Sequence, residues 1–314
     1  MPTTITPHAP LLLAGSTAAG KSEVALLVAE RLGGEIISVD SMQVYRGLDI
    51  GTAKPPAADR ARVTHHLLDV VELSEPFDAA KFVALARAAI RQIQERGRTP
   101  ILCGGTGLYF KALVDGLGEA PPADPALRAE LEAAPLTGLL RELAERDPVT
   151  FERIDRQNPR RVIRALEVIR ITGKPFSEQR AAWSSTDESL TTDRTSRVLV
   201  LSRTTADLRA RIDARVDQMF ALGLVEETQA LLSRGLTENR VAMQAIGYRQ
   251  VVEHLGGERS LSETIELVKI RTRQFAKRQM TWFRRQLPMT RLEVRAGEEA
   301  GEIAARIEAA WRAE

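Results

Sequence analysis

The sequence predicts an α/β fold in which helices flank a parallel sheet, with an all-helical insertion and a helical C-terminal third. Three short, buried-type strand patterns in the first third of the chain support the sheet: Leu11–Leu13, Glu35–Val39 and Thr99–Cys103. Helical apolar spacing separates them, which is typical of parallel strands joined by crossover helices. A fourth strand pattern, Arg197–Leu201, is expected to rejoin the same sheet.

The helical insertion is predicted from a change in composition. The Pro- and Gly-rich stretch Gly116–Pro125 has the character of a hinge, and every apolar pattern from there to about Trp183 has helical spacing. Ser184–Thr195 is polar and is interpreted as a return loop. We therefore expect a core domain made of residues 1–118 and 196–314, and an insertion domain made of residues 119–195.

Length, charge and cysteine content limit the possible functions. A chain of 314 residues is long enough for two domains. Its 44 basic residues nearly cancel its 42 acidic residues, so affinity for nucleic acid would depend on local clusters. The single cysteine, Cys103, excludes a disulfide framework and a multi-cysteine zinc site. No apolar stretch reaches 18 residues, so we expect a cytoplasmic protein without membrane contact.

The first predicted strand leads into a phosphate-binding loop of the P-loop NTPase type. The octapeptide GSTAAGKS matches G-x-x-x-x-G-K-[ST] and precedes a helical pattern. The glycines let the backbone curl so that N–H groups point at a phosphate, and the helix adds its positive N-terminal end. Lys21 supplies a positive charge, and the Ser22 hydroxyl is a candidate Mg²⁺ ligand. The expected phosphate-binding residues are Gly15, Ser16, Thr17, Ala18, Ala19, Gly20, Lys21 and Ser22.

Two polar residues follow predicted strands at the edge of the sheet where this loop lies. Asp40 follows Glu35–Val39, and Thr106 lies in a Gly-Gly-Thr-Gly sequence after Thr99–Cys103. In open α/β sheets the carboxyl ends of the strands face the ligand crevice, so both residues are candidates for the site. The sequence also allows structural roles, because Asp40 is a good helix cap and Thr106 fits a tight turn.

The next segment, Ser41–Pro55, has the composition of a surface loop, and it could bind substrate or be purely structural. His65 and His66 follow it. Neighbouring side chains point in different directions on a regular element, so we interpret these histidines as structural rather than as metal ligands.

The C-terminal third is predicted to be helical. Ala206–Ser233 is expected to form one long amphipathic helix or a pair broken at Gly223, and Gly247–Tyr248 interrupts the next segment. Glu263–Arg285 is expected to form one long helix. No internal repeat is evident.

Positive charge is concentrated in two segments. Lys269–Arg285 contains seven basic residues and no acidic one, with aromatic residues interleaved, and Asn158–Arg164 forms a second cluster in the insertion. Basic stripes neutralise backbone phosphates, and aromatic rings stack on bases. A solvated helix face is the alternative for either cluster alone, but two clusters together with a phosphate loop favour a nucleic acid. One predicted face of the long helix carries Lys269, Arg273, Lys277 and Arg284.

Six motifs occur in the order GSTAAGKS, ISVDSMQVYRGLDIGTAKP, GGTGLYFKAL, NPRRVIRALEV, AIGYRQ and RTRQFAKRQMTWFR. In order and spacing they resemble the tRNA dimethylallyltransferase (tRNA isopentenyltransferase) family, from Pro10 to about Arg285. Ser16 replaces a common proline of the family, and Gln244 replaces an arginine of many members. The zinc finger of eukaryotic members needs cysteines that this chain lacks, so the resemblance is to the bacterial type.

The resemblance implies transfer of a dimethylallyl group from dimethylallyl diphosphate to N6 of the adenosine immediately 3′ of the anticodon, with release of diphosphate. Asp40 would act as the general base and Thr106 would contact the substrate. Arg211 or Arg215 would neutralise the diphosphate together with the phosphate loop and Mg²⁺. The implied tRNA-binding residues are Asp40, Ser41, Met42, Gln43, Thr106, Arg128, Arg160, Arg161, Val162, Ile163, Arg164, Gln244, Ala245, Ile246, Gly247, Tyr248, Arg249, Lys277, Arg278, Gln279, Trp282 and Arg284.

The implied partner is the anticodon stem-loop of tRNA, whose adenosine would be flipped into a channel while the insertion grips the stem-loop. We expect a monomer. Three other functions are weighed against this one: an adenylate isopentenyltransferase acting on free nucleotide, a P-loop small-molecule kinase, and a non-catalytic RNA-binding module. The basic clusters favour a polymeric substrate over free nucleotide.

Overall fold

The computed structural model of the protein describes residues 9–116, 121–179 and 198–312. The chain divides into two compact units, Met1–Val114 with Asp193–Glu314, and Asp115–Thr192. The predicted loop Ser184–Thr195 and part of the predicted hinge lie outside the described residues. Among the described helices, none combines the length and the apolar content needed to cross a lipid bilayer.

The first unit is built on a sheet of six parallel strands: β1 (Leu11–Gly15), β2 (Glu35–Val39), β3 (His65–His66), β4 (Pro100–Gly104), β5 (Val198–Ser202) and β6 (Met289–Glu293). Their spatial order is β3-β2-β4-β1-β5-β6. In the centre of the sheet, Leu13 lies opposite Cys103 on one side and Leu199 on the other. Every residue of β1, β2, β4 and β5 is buried, as is typical of parallel strands covered on both faces.

The helices, numbered along the chain, are α1 (Lys21–Leu32), α2 (Ala57–Arg62), α3 (Ala79–Glu95), α4 (Gly107–Asp115), α5 (Pro125–Ala133), α6 (Leu136–Arg146), α7 (Pro148–Arg153), α8 (Pro159–Thr172), α9 (Phe176–Gln179), α10 (Thr205–Ala221), α11 (Leu224–Leu232), α12 (Tyr248–Leu255), α13 (Leu261–Gln286) and α14 (Ala300–Arg312). Gly223 separates α10 from α11, so the predicted segment is a broken pair. The predicted long basic helix is α13, and its start is fixed by reciprocal hydrogen bonds between Ser260 and Glu263.

The predicted fold class is confirmed, and β1, β2, β4 and β5 overlap the four predicted strands, with ends that differ by at most two residues. The sequence does not predict β3 or β6, and the C-terminal third is therefore not entirely helical. β3 has only two residues. β6 reads MTRLE and three of its five residues are exposed, so no apolar pattern marks it. Backbone pairing with β5 holds β6 in the sheet. For example, Arg291 lies opposite Val200.

Each unit has its own apolar core. In the first, the sheet packs under α1 and α14, where Leu13, Val28 and Ile303 are at most 1% exposed. In the second, α5, α6 and α8 enclose a separate core that contains Leu143 and Leu166. Complete burial of one such side chain contributes about 1.5–3 kcal/mol, so each core stabilises its own unit.

Glu35 is a buried carboxylate at the start of β2. It accepts a hydrogen bond of 2.7 Å from Arg96, and its Oε2 lies 2.6 Å from Nε2 of His66. Burial raises the pKa of Glu35, but hydrogen bonds from Arg96 and His66 outweigh burial and hold the pKa below its usual 4.5. The other histidine, His65, places its Nδ1 2.8 Å from the Val63 carbonyl. Both histidines thus contact neighbouring protein groups.

Replacing Glu35 with glutamine is expected to lower the free energy of unfolding at pH 7 by about 1–3 kcal/mol, because buried charge-assisted hydrogen bonds are lost. A carboxylate whose pKa is lowered by folding stabilises the protein above the pKa of the unfolded state, and this contribution disappears as the pH falls through the folded pKa. The difference between wild type and Glu35→Gln should therefore shrink below about pH 4.5. Urea unfolding at a series of pH values measures the difference in the free energy of unfolding. A difference that does not change with pH would contradict a lowered pKa of Glu35 in the folded protein.

Candidate active site

The phosphate loop lies between β1 and α1. β1 ends at Gly15 and α1 begins at Lys21, so the loop covers the N-terminal end of the helix. Gly20, just before the helix, has a φ of 94°, a left-handed conformation that glycine adopts at little cost. The Lys21 ammonium group donates a hydrogen bond of 2.6 Å to the Ser16 carbonyl. The lysine therefore lies along the loop whose phosphate it is expected to bind.

Two arginines donate hydrogen bonds to backbone carbonyl groups of this loop. Nε of Arg203 donates to the Ala19 carbonyl at 2.9 Å, and Nε of Arg211 donates to the Ala18 carbonyl at 3.0 Å. Arg203 is itself fixed by an ion pair with Asp207 at 2.9 Å. Our sequence reasoning missed Arg203. It directly follows β5, so the rule that placed Asp40 at the edge of the sheet could have found it.

A cavity of about 410 Å³ opens at the carboxyl ends of β1, β2 and β4. Lys21 and Ser22 line it from the phosphate loop, Asp40 and Thr106 from the loops after β2 and β4, and Arg215 from α10. The structure thus brings phosphate-binding groups and a carboxylate to one cavity. Burial is the largest cause of the lowered pKa of Lys21, which is about 8. A bound anion would favour the charged form of this lysine.

Asp40 has both of the features that the sequence left as alternatives. Its Oδ1 accepts hydrogen bonds from the backbone N–H groups of Met42 at 2.8 Å and Gln43 at 3.3 Å, so it stabilises a turn. Its side chain also lines the cavity. Oδ2 accepts no hydrogen bond from the residues that the structure describes. The Thr106 hydroxyl accepts from the Ser41 N–H at 3.2 Å and thereby ties the two strand-end loops together.

Arg215 and Arg211 are placed differently, although both are phosphate candidates. Arg215 lines the first cavity and also a second cavity of about 1020 Å³. Lys21 and Ser22 likewise line both cavities. The Arg215 guanidinium group forms no hydrogen bond or ion pair with the residues that the structure describes. Burial lowers the pKa of Arg215, whereas the charge of Asp40 raises it. Arg211 is exposed, and its Nε is already bound to the loop.

The Ser22 side chain fits the expected role as a Mg²⁺ ligand. It is exposed and lines both cavities beside Lys21. No cluster of three acidic, histidine or cysteine side chains with metal-binding geometry occurs within the described ranges. Mg²⁺ commonly binds through one or two protein ligands together with phosphate oxygens and water. The residues present therefore suit a Mg²⁺ ion that arrives with a phosphorylated ligand.

The loop after β2 is fixed by side chains from distant segments. The Glu227 carboxylate on α11 accepts from the Ile50 N–H at 2.9 Å and from the Tyr248 hydroxyl at 2.6 Å. The Tyr248 oxygen in turn accepts from the Gly51 N–H at 3.1 Å. Gly51 and its neighbour Thr52 line the first cavity. Sequence reasoning missed Glu227, because no local motif distinguishes it from other glutamates on a helix surface.

Lys54, in the same loop, has a structural position. It is buried and forms ion pairs with Asp49 at 2.7 Å and with Asp69, and its ammonium group also donates to the Tyr45 carbonyl at 2.6 Å. The loop is therefore held rigidly against the core.

Some basic residues of the face predicted on α13 already form ion pairs within the protein. Lys269 is paired with Asp217 at 2.8 Å and Arg273 with Asp213 at 2.9 Å, because α10 supplies acidic residues along this side of α13. The exposed basic residues of the helix are Arg271, Lys277, Arg278, Arg284 and Arg285. A cavity of about 340 Å³, called the notch below, lies beside them. Its lining includes Arg249 of α12, Arg271 and Arg278 of α13, and Arg259 between the two helices.

Several residues expected at an RNA surface have buried side chains, and one of them, Ala245, lines the first cavity. Val162 and Ile163 pack in the core of the second unit. Ala245 and Tyr248 are buried in the first unit, and Gly247 is the buried residue that precedes α12. The basic and the apolar residues of α8 lie on different faces of the helix. A motif of consecutive residues therefore contains both kinds. Among the expected RNA-binding residues 160–164 and 244–249, the exposed side chains are those of Arg160, Arg161, Gln244 and Arg249.

Two arginines of the insertion form hydrogen bonds with a buried carboxylate. The Glu167 carboxylate is fully buried and accepts from Arg128 at 2.6 Å and from Arg164 at 2.7 Å. Arg164 further donates to the Pro121 carbonyl at 2.6 Å. A buried carboxylate requires such partners, so these arginines stabilise the second unit in this structure.

Gln279 and Trp282 of α13 pack on the loop that carries Thr106. Gln279 is buried, and its amide group bridges the Thr17 N–H and the Gly105 carbonyl, each at 2.9 Å. The Trp282 ring is half-buried and lies against Gly107. Both residues were expected to contact RNA, and the structure places Gln279 inside the protein, between the loops of the cavity.

Comparison with known proteins identifies the family. The sequence profile of the IPP transferase family matches residues 43–286. A tRNA dimethylallyltransferase of Trichlorobacter lovleyi is 50% identical over 87% of this chain and 90% of the relative, and one of Geobacillus kaustophilus is 43% identical over 95% and 93%. The crystal structure of a full-length tRNA isopentenylpyrophosphate transferase from Bacillus halodurans matches with a TM-score of 0.68 and 38% identity, over 96% of this chain and 97% of that chain. A eukaryotic dimethylallyltransferase acting on tRNA matches with a TM-score of 0.76 and 29% identity, over 91% of this chain and 74% of that chain. The chain therefore belongs to the IPP transferase family.

Proposed function

We propose that this protein transfers a dimethylallyl group from dimethylallyl diphosphate to N6 of the adenosine immediately 3′ of the anticodon in tRNA and releases diphosphate. Its relatives are tRNA dimethylallyltransferases. The observation that carries the proposal is the shared cavity, which Lys21 and Arg215 line together with Asp40 and Thr106. Such a cavity can hold a diphosphate leaving group next to a proton acceptor.

In the proposed reaction, N6 of the adenosine attacks C1 of the dimethylallyl group while the bond from C1 to the diphosphate oxygen breaks. The amine becomes acidic as the new carbon–nitrogen bond forms, and its proton passes to the carboxylate of Asp40. Two turn hydrogen bonds hold Asp40 through Oδ1, which leaves Oδ2 as the proton acceptor. Thr106 would orient the adenosine beside it.

Charge develops on the departing diphosphate, and the other side of the cavity is suited to neutralise it. Lys21 and Arg215 carry the positive charges, and the N-terminal end of α1 adds its dipole. A Mg²⁺ ion bound with the diphosphate would be held by Ser22 and would supply further charge neutralisation. The second cavity meets the first at Lys21 and Arg215, which gives the diphosphate an approach separate from that of the base.

The RNA is proposed to bind on the exposed side of α13 and beside α12. Arg278, Gln244 and Ile246 line both the catalytic cavity and the neighbouring notch, so the notch could hold the backbone on either side of a flipped adenosine. Unpaired bases of an anticodon loop are displaced at low cost. In the insertion, the exposed Arg160 and Arg161 are the proposed contacts to the stem.

Replacing Lys277 and Arg278 together with alanine is expected to weaken binding of the tRNA and to reduce its dependence on salt. Each phosphate contact contributes a slope of about 0.7 to 0.9 in a plot of log K against log salt concentration, so the double variant should lose up to about twice that slope. Fluorescence titrations of an anticodon stem-loop at several salt concentrations measure the effect.

The matched control is Lys269→Ala with Arg273→Ala. It removes the same charge from the same helix, but from residues that are paired with Asp217 and Asp213. Its salt slope should stay close to that of the wild type. Equal losses in both double variants would contradict a local RNA surface and would indicate an effect of net charge.

Transfer of radiolabel from dimethylallyl diphosphate to unmodified tRNA tests the proposed function directly. The expected result is label on the RNA and none on adenosine monophosphate. Label on the free nucleotide alone would support the adenylate isopentenyltransferase alternative. Phosphorylation of a small substrate by ATP would support a kinase, and tRNA binding without transfer would support an RNA-binding module.

A further inference from the structure

We propose that Gln279 is a positioning residue that fixes the separation between the phosphate loop and the loop carrying Thr106, and thereby aligns the reacting groups. This inference rests on the proposed function. Gln279 lines the cavity, but both polar ends of its side chain are hydrogen-bonded to protein loops, so the proposed role differs from that of an RNA contact.

The two ends of the Gln279 amide group serve different loops. Oε1 accepts a hydrogen bond of 2.9 Å from the backbone N–H of Thr17 in the phosphate loop. Nε2 donates a hydrogen bond of 2.9 Å to the Gly105 carbonyl in the other loop. One side chain thus spans the gap between the segment expected to hold the diphosphate and the segment beside the proposed base.

The two loops and the Gln279 amide group lie close together. A Cβ atom placed on Gly105 would lie 2.4 Å from Nε2 of Gln279 and 3.4 Å from the Gly15 carbonyl. A side chain at Gly105 would therefore displace the Gln279 amide group. Removing that amide group would remove the hydrogen bonds that join the two loops at this point.

The bridge continues to the proposed base. Gly105 precedes Thr106, whose hydroxyl accepts from the Ser41 N–H at 3.2 Å, and Ser41 follows Asp40. A continuous set of hydrogen bonds and peptide links therefore connects the phosphate loop to the carboxylate. Reaction rates are sensitive to such spacing, since a misplacement of about 1 Å in a reacting group can cost about 10²-fold.

Only an amide satisfies both loops at neutral pH. The Thr17 N–H requires an acceptor and the Gly105 carbonyl requires a donor. Methionine has a similar length and fills the space, but it makes neither strong hydrogen bond. A carboxylate accepts from the N–H and repels the carbonyl, whereas a protonated carboxyl group can again accept and donate.

The experiment compares Gln279→Met and Gln279→Glu with the wild type in tRNA dimethylallylation under steady-state conditions. Gln279→Met is expected to lower kcat by about 10- to 100-fold, with a smaller change in KM for dimethylallyl diphosphate and in affinity for the anticodon stem-loop. For Gln279→Glu, the deficit relative to the wild type at the same pH should shrink as the pH is lowered. The control is Gln92→Met, at an exposed position near the end of α3 and outside the proposed site, which should transfer at the wild-type rate.

A wild-type rate in a folded Gln279→Met would overturn the inference, because filling the space would then suffice. A loss confined to KM or to RNA affinity would overturn it as well and would assign Gln279 to substrate binding. If Gln279→Met does not fold, the pH profile of Gln279→Glu decides, and a deficit that is constant with pH counts against the bridge. Absence of transfer by the wild type would instead refute the proposed function itself.

Discussion

Replacing Asp40 with asparagine is expected to lower the rate of dimethylallyl transfer by about 10²- to 10⁴-fold, the usual contribution of a general base. The amide oxygen can still accept the hydrogen bonds that Oδ1 receives from the Met42 and Gln43 N–H groups. The turn is therefore kept, and only the ability to take a proton is lost. Single-turnover transfer at saturating tRNA measures the rate, and titration of the anticodon stem-loop should show nearly unchanged affinity.

Asp40→Ala separates the two roles of this residue. Alanine removes the proton acceptor and also the acceptor of the turn, so tRNA affinity should fall in this variant but not in Asp40→Asn. An asparagine variant that transfers at nearly the wild-type rate would mean that Asp40 only supports the loop. In that case another group on the cavity wall would have to remove the proton.

Replacing Arg215 with methionine is expected to lower kcat by about 10²- to 10³-fold, as is typical when one group that stabilises developing charge is removed. Its guanidinium group lines both cavities and has no hydrogen bond to the described protein residues. It is therefore available to a departing diphosphate. Because the charge appears in the transition state, the loss should be larger in kcat than in KM for dimethylallyl diphosphate.

Arg211→Met is the matched comparison on the same helix. Arg211 is exposed and its Nε holds the Ala18 carbonyl, so its removal should loosen the phosphate loop and produce a smaller effect than Arg215→Met. Equal or greater damage from Arg211→Met would identify Arg211 as the main diphosphate ligand. Thermal unfolding of both variants checks that neither effect reflects a loss of folded protein.

The fold was largely predictable because its central strands and the loop after β1 carry strong local signals. Four strands are short, fully buried and rich in apolar residues, and the phosphate loop is marked by glycines at the spacing of the motif. β6 shows the limit of such signals. It is an edge strand with exposed charged residues, and its conformation depends on the neighbouring β5, which lies far away in the sequence.

The basic helix α13 shows the same limit for charge. Its sequence shows seven basic residues, but the acidic residues that neutralise Lys269 and Arg273 come from α10. Periodicity places residues on a helix face and does not tell which element covers that face. The same reason explains the buried Val162 and Ile163 within an arginine-rich motif.

By itself, the sequence determined the parallel α/β class, the phosphate loop and the positions of Asp40 and Thr106 at strand ends, because these depend on patterns within one strand and its following turn. Only the tertiary structure decided that Arg215 rather than Arg211 lines the cavity that contains Asp40, and that Gln279 joins two loops. The Thr17 N–H and the side-chain Oε1 of Gln279 belong to residues 262 positions apart. Their contact depends on how the helices close over the sheet, which no local pattern encodes.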